Sequence, residues 1–194
     1  MKLRGLYAIT PEGADPGKVR LALEGGIALL QYRDKRGDRA HAAAIVALGR
    51  EFGVPVIMND DVELALELGA AGAHLGRDDG DLRGARARLQ GRLLGASCYN
   101  DAALARAAVE AGADYVAFGS VFASPTKPGA ARAPLSLFGD AKALGVPLAA
   151  IGGINLDNAP QLIAAGADLL AVISDLFDAR DVRQRARDYG KLFA

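Results

Sequence analysis

A (β/α)₈ TIM barrel, a single α/β domain over residues 1–194, is the fold class this sequence predicts. Three observations point to it. A small-residue marker closes a helical pattern and leads into a short apolar run at Gly26, Gly69, Gly112 and Gly166. The first three markers recur with a period of about 43 residues, too long for one helix–strand step and right for two. About eight short runs are apolar throughout rather than alternating, as parallel strands buried on both faces are. No early G-x-G-x-x-G favours the competing arrangement, an open doubly wound sheet.

In order, the runs are residues 5–10, 28–33, 55–59, 72–75, 93–97, 115–119, 148–152 and 169–174. Runs three and seven resemble each other, Val54-Pro55 and Val146-Pro147 each following a glycine. Segments rich in Ala, Leu, Arg and Glu with helical period, such as 40–52 and 102–110, lie between the runs. The last repeat is longer than the others, and residues 120–133 hold the excess as a loop. Alternation of this kind makes a closed barrel near the lower size limit of the fold.

Composition narrows the function classes. Twenty-three basic residues balance 23 acidic ones, and no basic stripe interleaves with aromatics, so nucleic acid is excluded as the expected partner. One cysteine, Cys98, excludes an internal disulfide framework and suits a reducing compartment. The apolar run after Lys2 and Arg4 is too short for a signal peptide, and no run reaches the roughly 18 residues of a membrane span. A cytoplasmic enzyme of small molecules, with no membrane partner, is expected, as a monomer or a homo-oligomer. The 24 glycines foretell many tight turns or close backbone approaches.

Barrel enzymes carry their sites at the C-terminal ends of the strands. Here those ends read Gln31-Tyr32-Arg33-Asp34-Lys35, Met58-Asn59-Asp60-Asp61, His74-Leu75-Gly76-Arg77-Asp78-Asp79, Ser97-Cys98-Tyr99-Asn100, Gly152-Gly153 and Ile173-Ser174. The sixth run leads into Ser124-Pro125-Thr126-Lys127-Pro128-Gly129, a loop with hydroxyls, two prolines and one cation. Such a loop suits a phosphate or diphosphate, although an ordinary solvated loop would read the same in isolation.

Three roles separate. Arg33, Lys35 and Lys127 can neutralise a diphosphate; alternatively Arg33 and Lys35 pair with Asp34 at the rim. Asp60 and Asp79 follow neighbouring strands and can supply the one or two carboxylates that Mg²⁺ takes from protein; alternatively they are helix N-caps, in competition with Asp61, Asp78 and Asp81. Gly152-Gly153 and Ser174 can hold a monophosphate through backbone amides and a hydroxyl; alternatively the glycines serve the turn alone. No nucleophile–base pair stands out. His41 lies in a helical segment and is expected to be exposed, His74 reads as a satisfied core or rim histidine, and Cys98 as a small packing residue. Cations, a metal and no base suit chemistry in which diphosphate departs.

Taken together, the chain resembles thiamine phosphate synthases over nearly its whole length. The resemblance rests on Leu30-Gln-Tyr-Arg-Asp-Lys35, Met58-Asn-Asp60, His74-Leu-Gly76 with Asp79, Gly95-Ala-Ser97, Gly112-Ala-Asp-Tyr115, Val121-Phe-Ala-Ser-Pro-Thr-Lys127, Ile151-Gly-Gly-Ile154 and Ala171-Val-Ile-Ser174, in this order. It implies joining of 4-amino-2-methyl-5-pyrimidinylmethyl diphosphate to a thiazole phosphate, with diphosphate leaving first. It further implies that Gln31, Tyr32, Arg33, Asp34, Lys35 and Asn59 hold the pyrimidine, that Asp60 and Asp79 bind Mg²⁺, and that Ser97 and Lys127 contact the diphosphate. Ser124, Pro125, Thr126, Gly153, Ile173 and Ser174 would hold the thiazole phosphate, and Arg33, Lys35, Ser97 and Lys127 would act in catalysis. The chain departs from the common pattern at Asp34 (usually Glu), Arg77 (often Gln), Cys98-Tyr99 (often Thr-His) and Ser124 (often Thr). Two other readings compete. A thiazole tautomerase would use a histidine where Tyr99 stands, and a non-catalytic barrel binding a phosphorylated metabolite would have little need of paired metal aspartates.

Overall fold

The computed structural model describes residues 3–123 and 132–194 of the chain. Eight strands, β1 (Gly5–Ile9), β2 (Leu29–Tyr32), β3 (Val56–Asn59), β4 (Gly72–Leu75), β5 (Leu93–Tyr99), β6 (Tyr115–Gly119), β7 (Leu148–Ile151) and β8 (Leu169–Val172), pair in chain order and all in parallel. β8 closes on β1, so the sheet has no free edge and the expected (β/α)₈ TIM barrel is formed. Each expected run contains one strand. Only β5 runs on, by two residues to Tyr99, where its pairing with β6 shifts register between Ser97 and Tyr99.

Helices α1 (Pro16–Gly25), α2 (Arg39–Phe52), α3 (Val62–Glu67), α4 (Leu82–Leu89), α5 (Ala102–Glu110), α6 (Ser136–Ala141), α7 (Ala159–Ala165), α8 (Ser174–Phe177) and α9 (Val182–Lys191) form the outer layer. Aspartates start many of them: Asp15, Asp38, Asp61, Asp81, Asp101 and Asp181 each accept a backbone N–H in the first turn of the helix that comes next. Each such cap contributes about 1 kcal/mol. Chain reversals therefore use acidic side chains at the same end of the barrel where a site would lie, which is why spacing alone does not separate caps from metal ligands.

Alternate residues of a strand face opposite sides, and here they serve two cores. The outward set, including Leu6, Leu30, Met58, Leu94, Cys98, Val116, Phe118, Leu148 and Leu170, packs beneath the helices. The inward set, Tyr7, Ile9, Leu29, Ile57, Tyr115, Ala117, Ala149, Leu169 and Ala171, fills the barrel. Burial drives both, at about 25 cal/mol per Å² of apolar surface removed from water.

Candidate active site

The inward parity, traced to the strand ends, selects which residues meet. Gln31 stands in register with Ile9 and Ile57, Asn59 with His74, and Ser97 with Ala117. All lie at the C-terminal mouth, and Arg33 comes one parity step beyond Gln31. Gly153, Ile173 and Ser174 come directly after β7 and β8 on the same mouth. The residues at 124–127, Ser124, Pro125, Thr126 and Lys127, lie outside the described residues.

Tyr32 has the opposite parity. Its ring is buried beneath α2, edge-on to His41 with ring centroids 5.5 Å apart, so its side chain does not face the mouth. His41 is not exposed as expected: its side chain is 15% accessible and its Nδ1 lies 3.8 Å from an Asp34 carboxylate oxygen. The helical segment is amphipathic, and His41 falls on the face turned to β2.

Asp34 is also not the partner of Arg33 or Lys35. Its carboxylate is 1% exposed and accepts two guanidinium bonds from Arg36, at 2.6 and 3.0 Å, plus the Arg36 backbone N–H at 2.9 Å. The Arg36 guanidinium holds the Asp34 carboxyl well below the usual carboxylate range. This staple shapes the loop from 33 to 38, and Asp38 caps α2 at its end. Thr10, fully buried at the end of β1, accepts from the Arg33 backbone N–H at 2.9 Å and fixes where that loop leaves the barrel. A threonine at the end of an apolar run signals nothing by itself, so sequence reasoning does not single Thr10 out. Among the described residues no carboxylate forms a salt bridge with Arg33 or Lys35, so their charges are available to an anionic ligand.

Caps and candidate metal ligands separate in the structure. Asp61 caps α3, accepting from Leu64 N at 2.8 Å, and Asp81 caps α4. Asp60 caps nothing. Its backbone takes the left-handed φ of 62°, rare for a side-chain-bearing residue, and its N–H donates to the His74 carbonyl across to β4 at 2.9 Å. Asp79 accepts the Gly76 N–H at 2.8 Å. Partial burial, then contact with the Asp79 carboxyl, push the Asp60 carboxyl up to about 6, while the Asn59 amide and Arg33 pull it down. Asn59, Asp60, Asp79 and Arg33 thus form one neighbourhood. Two facing carboxylates that resist carrying charge at once suit a bound cation, and oxygen donors suit a hard one. Among the described residues no cluster of three or more His, Cys, Asp or Glu adds to the pair.

Beside this pair, Ser97 Oγ lies 2.9 Å from His74 Nε2. The shifted register beyond Ser97 lifts Tyr99 to the surface with a φ of 53°. There Arg77 lies over its ring at 4.8 Å and donates its backbone N–H to the phenol oxygen at 3.3 Å. Cys98 points outward, fully buried, with its thiol pushed up to about 12 chiefly by burial; it packs and does not react.

Opposite, the β7–β8 side is built of backbone. Gly152 and Gly153 have φ of 109° and 62°. A Cβ on Gly152 would run into Ser120, and one on Gly153 into the Ala123 carbonyl. Both glycines are thus needed for the turn, which also brings residues 120–123 against β7, Phe122 N–H donating to Gly152 O at 3.1 Å. Asn158 ties the turn from below, donating to Gly153 O at 2.9 Å.

Deeper in the barrel lies a polar cluster in which His74 is the satisfied core histidine expected from the sequence, while Tyr7 and Tyr115 are members that sequence reasoning missed. Tyr7, Tyr115 and His74 are buried on the inward face, and their polar atoms join Gln31 to Ser97. A tyrosine in a run of aliphatic residues was the available signal, since a buried phenol needs a hydrogen-bond partner.

The family model for thiamine monophosphate synthase matches residues 6–176. The chain belongs to this family. Among its relatives, the thiamine-phosphate synthase of Aromatoleum aromaticum is 58% identical over 202 residues, covering 99% of this chain and 97% of its own. That of Chromobacterium violaceum is 54% identical, covering 96% and 94%. A solved family structure, thiamine phosphate pyrophosphorylase from Pyrococcus furiosus, superposes with a TM-score of 0.88 at 33% identity over 98% of this chain and 96% of that one. Other barrels share the fold at lower identity, such as 3-hexulose-6-phosphate synthase with a TM-score of 0.75 at 16%.

Proposed function

We propose that this chain is the transferase that joins 4-amino-2-methyl-5-pyrimidinylmethyl diphosphate to a thiazole phosphate, plain or carboxylated, releasing diphosphate and thiamine phosphate. The observation that carries the reading is the Asp60–Asp79 carboxylate pair beside Asn59 and Arg33 at one barrel mouth, in a chain of this family. The facing carboxylates fit Mg²⁺, which when bound supplies positive charge to a diphosphate.

The chain's own residues then divide the work. Gln31 and Asn59 present amides to the pyrimidine. Arg33, Lys35, Ser97 and Lys127 meet the diphosphate, the guanidinium in bidentate fashion. As the methylene C–O bond breaks, its electron pair leaves with the diphosphate, and these donors stabilise that charge where it develops. The thiazole nitrogen then gives its lone pair to the methylene carbon. Gly153, Ile173 and Ser174, with Ser124, Pro125 and Thr126, hold the thiazole phosphate so that this nitrogen is already oriented. Tyr32 and Asp34 contribute indirectly, by shaping the loop that carries Arg33 and Lys35.

Tyr99, standing where a tautomerase would need histidine, argues against isomerisation of the thiazole alone. A cytoplasmic setting belongs to the same reading: Cys98 is a buried free thiol, and no helix among the described residues is long and apolar enough to cross a membrane. The test is an assay with both substrates and Mg²⁺. Thiamine phosphate and diphosphate should appear in equal amounts and disappear with a chelator. Isomerised thiazole without coupling would overturn the proposal.

A further inference from the structure

Five polar side chains from five strands cross the barrel interior as one hydrogen-bonded chain. Gln31 Nε2 donates to Tyr7 Oη at 2.6 Å, the two phenols stand 2.8 Å apart, Tyr115 Oη is 2.8 Å from His74 Nδ1, and His74 Nε2 is 2.9 Å from Ser97 Oγ. Space for it is made by Gly95 on β5, where a Cβ would run into both Tyr115 and His74. The two ends are residues that the proposed function, on which this inference rests, puts against the pyrimidine and the diphosphate. The same reading assigns its three middle members, Tyr7, Tyr115 and His74, no ligand of their own.

Counting protons gives the chain a direction. An amide nitrogen only donates, so Tyr7 accepts from Gln31 and must spend its single proton on Tyr115. Tyr115, having accepted, donates to His74 Nδ1. Nδ1 is then an acceptor, and a neutral imidazole must carry its proton on Nε2, which donates to Ser97. The ring is buried and held at both nitrogens, by Tyr115 and Ser97, a setting that disfavours the charged form. Ser97 Oγ, already accepting from within, has its own proton left for the mouth of the barrel.

We propose that Tyr7, Tyr115 and His74 are positioning residues that fix the Ser97 hydroxyl as a donor to the departing diphosphate, and that they tie this to Gln31 offering its carbonyl oxygen to the 4-amino group of the pyrimidine. The ligand chemistry is consistent at both ends. An amino group donates and needs a carbonyl, while a diphosphate only accepts and needs an O–H. Reversing the chain would flip the Gln31 amide and leave Ser97 presenting a lone pair to an anion. A pyrimidine bearing a carbonyl in place of the amino group would favour the reversed chain, so the interior reads the substrate's ring and sets the hydrogen bond on its leaving group together.

The test begins with the free protein, which has only two histidines. Imidazole ¹⁵N spectra at neutral pH, assigned with a His41→Gln variant, should show His74 as the Nε2–H tautomer with an unprotonated Nδ1. An Nδ1–H tautomer would overturn the proposal whatever the activity. The second arm is Tyr115→Phe, which keeps the ring and removes the link. It should lower kcat about tenfold with KM for the pyrimidine diphosphate within about twofold. In a Ser97→Ala background the same substitution should cost almost nothing further, since the hydroxyl it orients is gone. A tenfold loss that persists in that background would mean a packing role only, and would overturn the proposal. Tyr7→Phe is the second variant should Tyr115→Phe fail to fold, with the same double-mutant criterion. If the parent protein makes no thiamine phosphate, the proposed function fails, while the tautomer still decides the hydrogen-bond direction.

Discussion

The two faces of the same eight strands have opposite designs. Outward, Leu30, Met58, Val116, Phe118, Leu148 and Leu170 form a continuous apolar layer with the helices. Inward, apolar side chains fill the lower barrel before polar groups take over: Tyr7, Tyr115, His74, Gln31 and Ser97, then charge at the rim. The outward face has one task, burial, which is non-directional and tolerates any well-fitting apolar set. The inward face must satisfy each donor and acceptor, so one changed group disturbs its neighbours. Stability and chemistry are therefore carried by alternate residues of each strand.

This contrast is most sharply tested by Phe118→Ala. Phe118 is fully buried on the outer face, edge-on to Phe138 at 5.6 Å. Its loss should cost about 3–5 kcal/mol in a denaturant titration, while the activity of the molecules that remain folded stays near the parent value. Asp60→Asn, which removes the charge but tolerates the left-handed φ of 62°, should do the reverse. Thiamine phosphate formation should fall roughly a hundredfold or more, about 2.7 kcal/mol, with a melting temperature no lower than the parent's, because a like-charge contact has been removed. Equal losses of stability and activity in either variant would dissolve the distinction between the faces. Lys127→Ala should remove one cation from the leaving group and lower the rate about tenfold; an unchanged rate would take that residue out of the site.

Smaller effects arise from pH. The folded protein holds the Asp60 carboxyl at about 6 against 3.8 as its ordinary value. With the folded pKa above the unfolded one, its stabilisation is complete below about pH 4 and is lost as pH rises through about 6. Mg²⁺ competes with that proton, so the melting-temperature gain on adding Mg²⁺ should grow between about pH 5 and pH 7. His74 works the other way. Its pKa, depressed from 6.5 to about 4 by burial, gives stability that is complete above 6.5 and lost as pH falls through about 4. An Asp60→Asn variant should lose the pH dependence of the Mg²⁺ gain and keep the acid loss; loss of both would mean that the two groups titrate as one unit.

Strand count, order and closure were legible in the chain because apolar runs and glycine markers report burial and chain reversal locally. The rim was legible because a barrel puts every strand's C-terminus at one end. Tyr32, Asp34 and His41 ran against expectation for three reasons: adjacency to Arg33 says nothing of the parity of Tyr32, pairing Asp34 with Arg33 or Lys35 ignored Arg36 two residues on, and a helical segment does not by itself say that His41 falls on the face turned to β2. The acidic residues after β3 and β4 resist sorting for a related reason, since a cap and a metal ligand want the same side chain at nearly the same place.

By itself, then, the sequence determined the barrel and the set of charged groups at its mouth, because hydrophobic periodicity and turn residues act over short stretches of chain. Which carboxylates face each other, which loop cation is already neutralised and how five interior groups share their protons were decided only by tertiary structure. Those outcomes depend on distances between strands far apart in the chain, and hydrogen bonds and charges discriminate at the scale of an ångström.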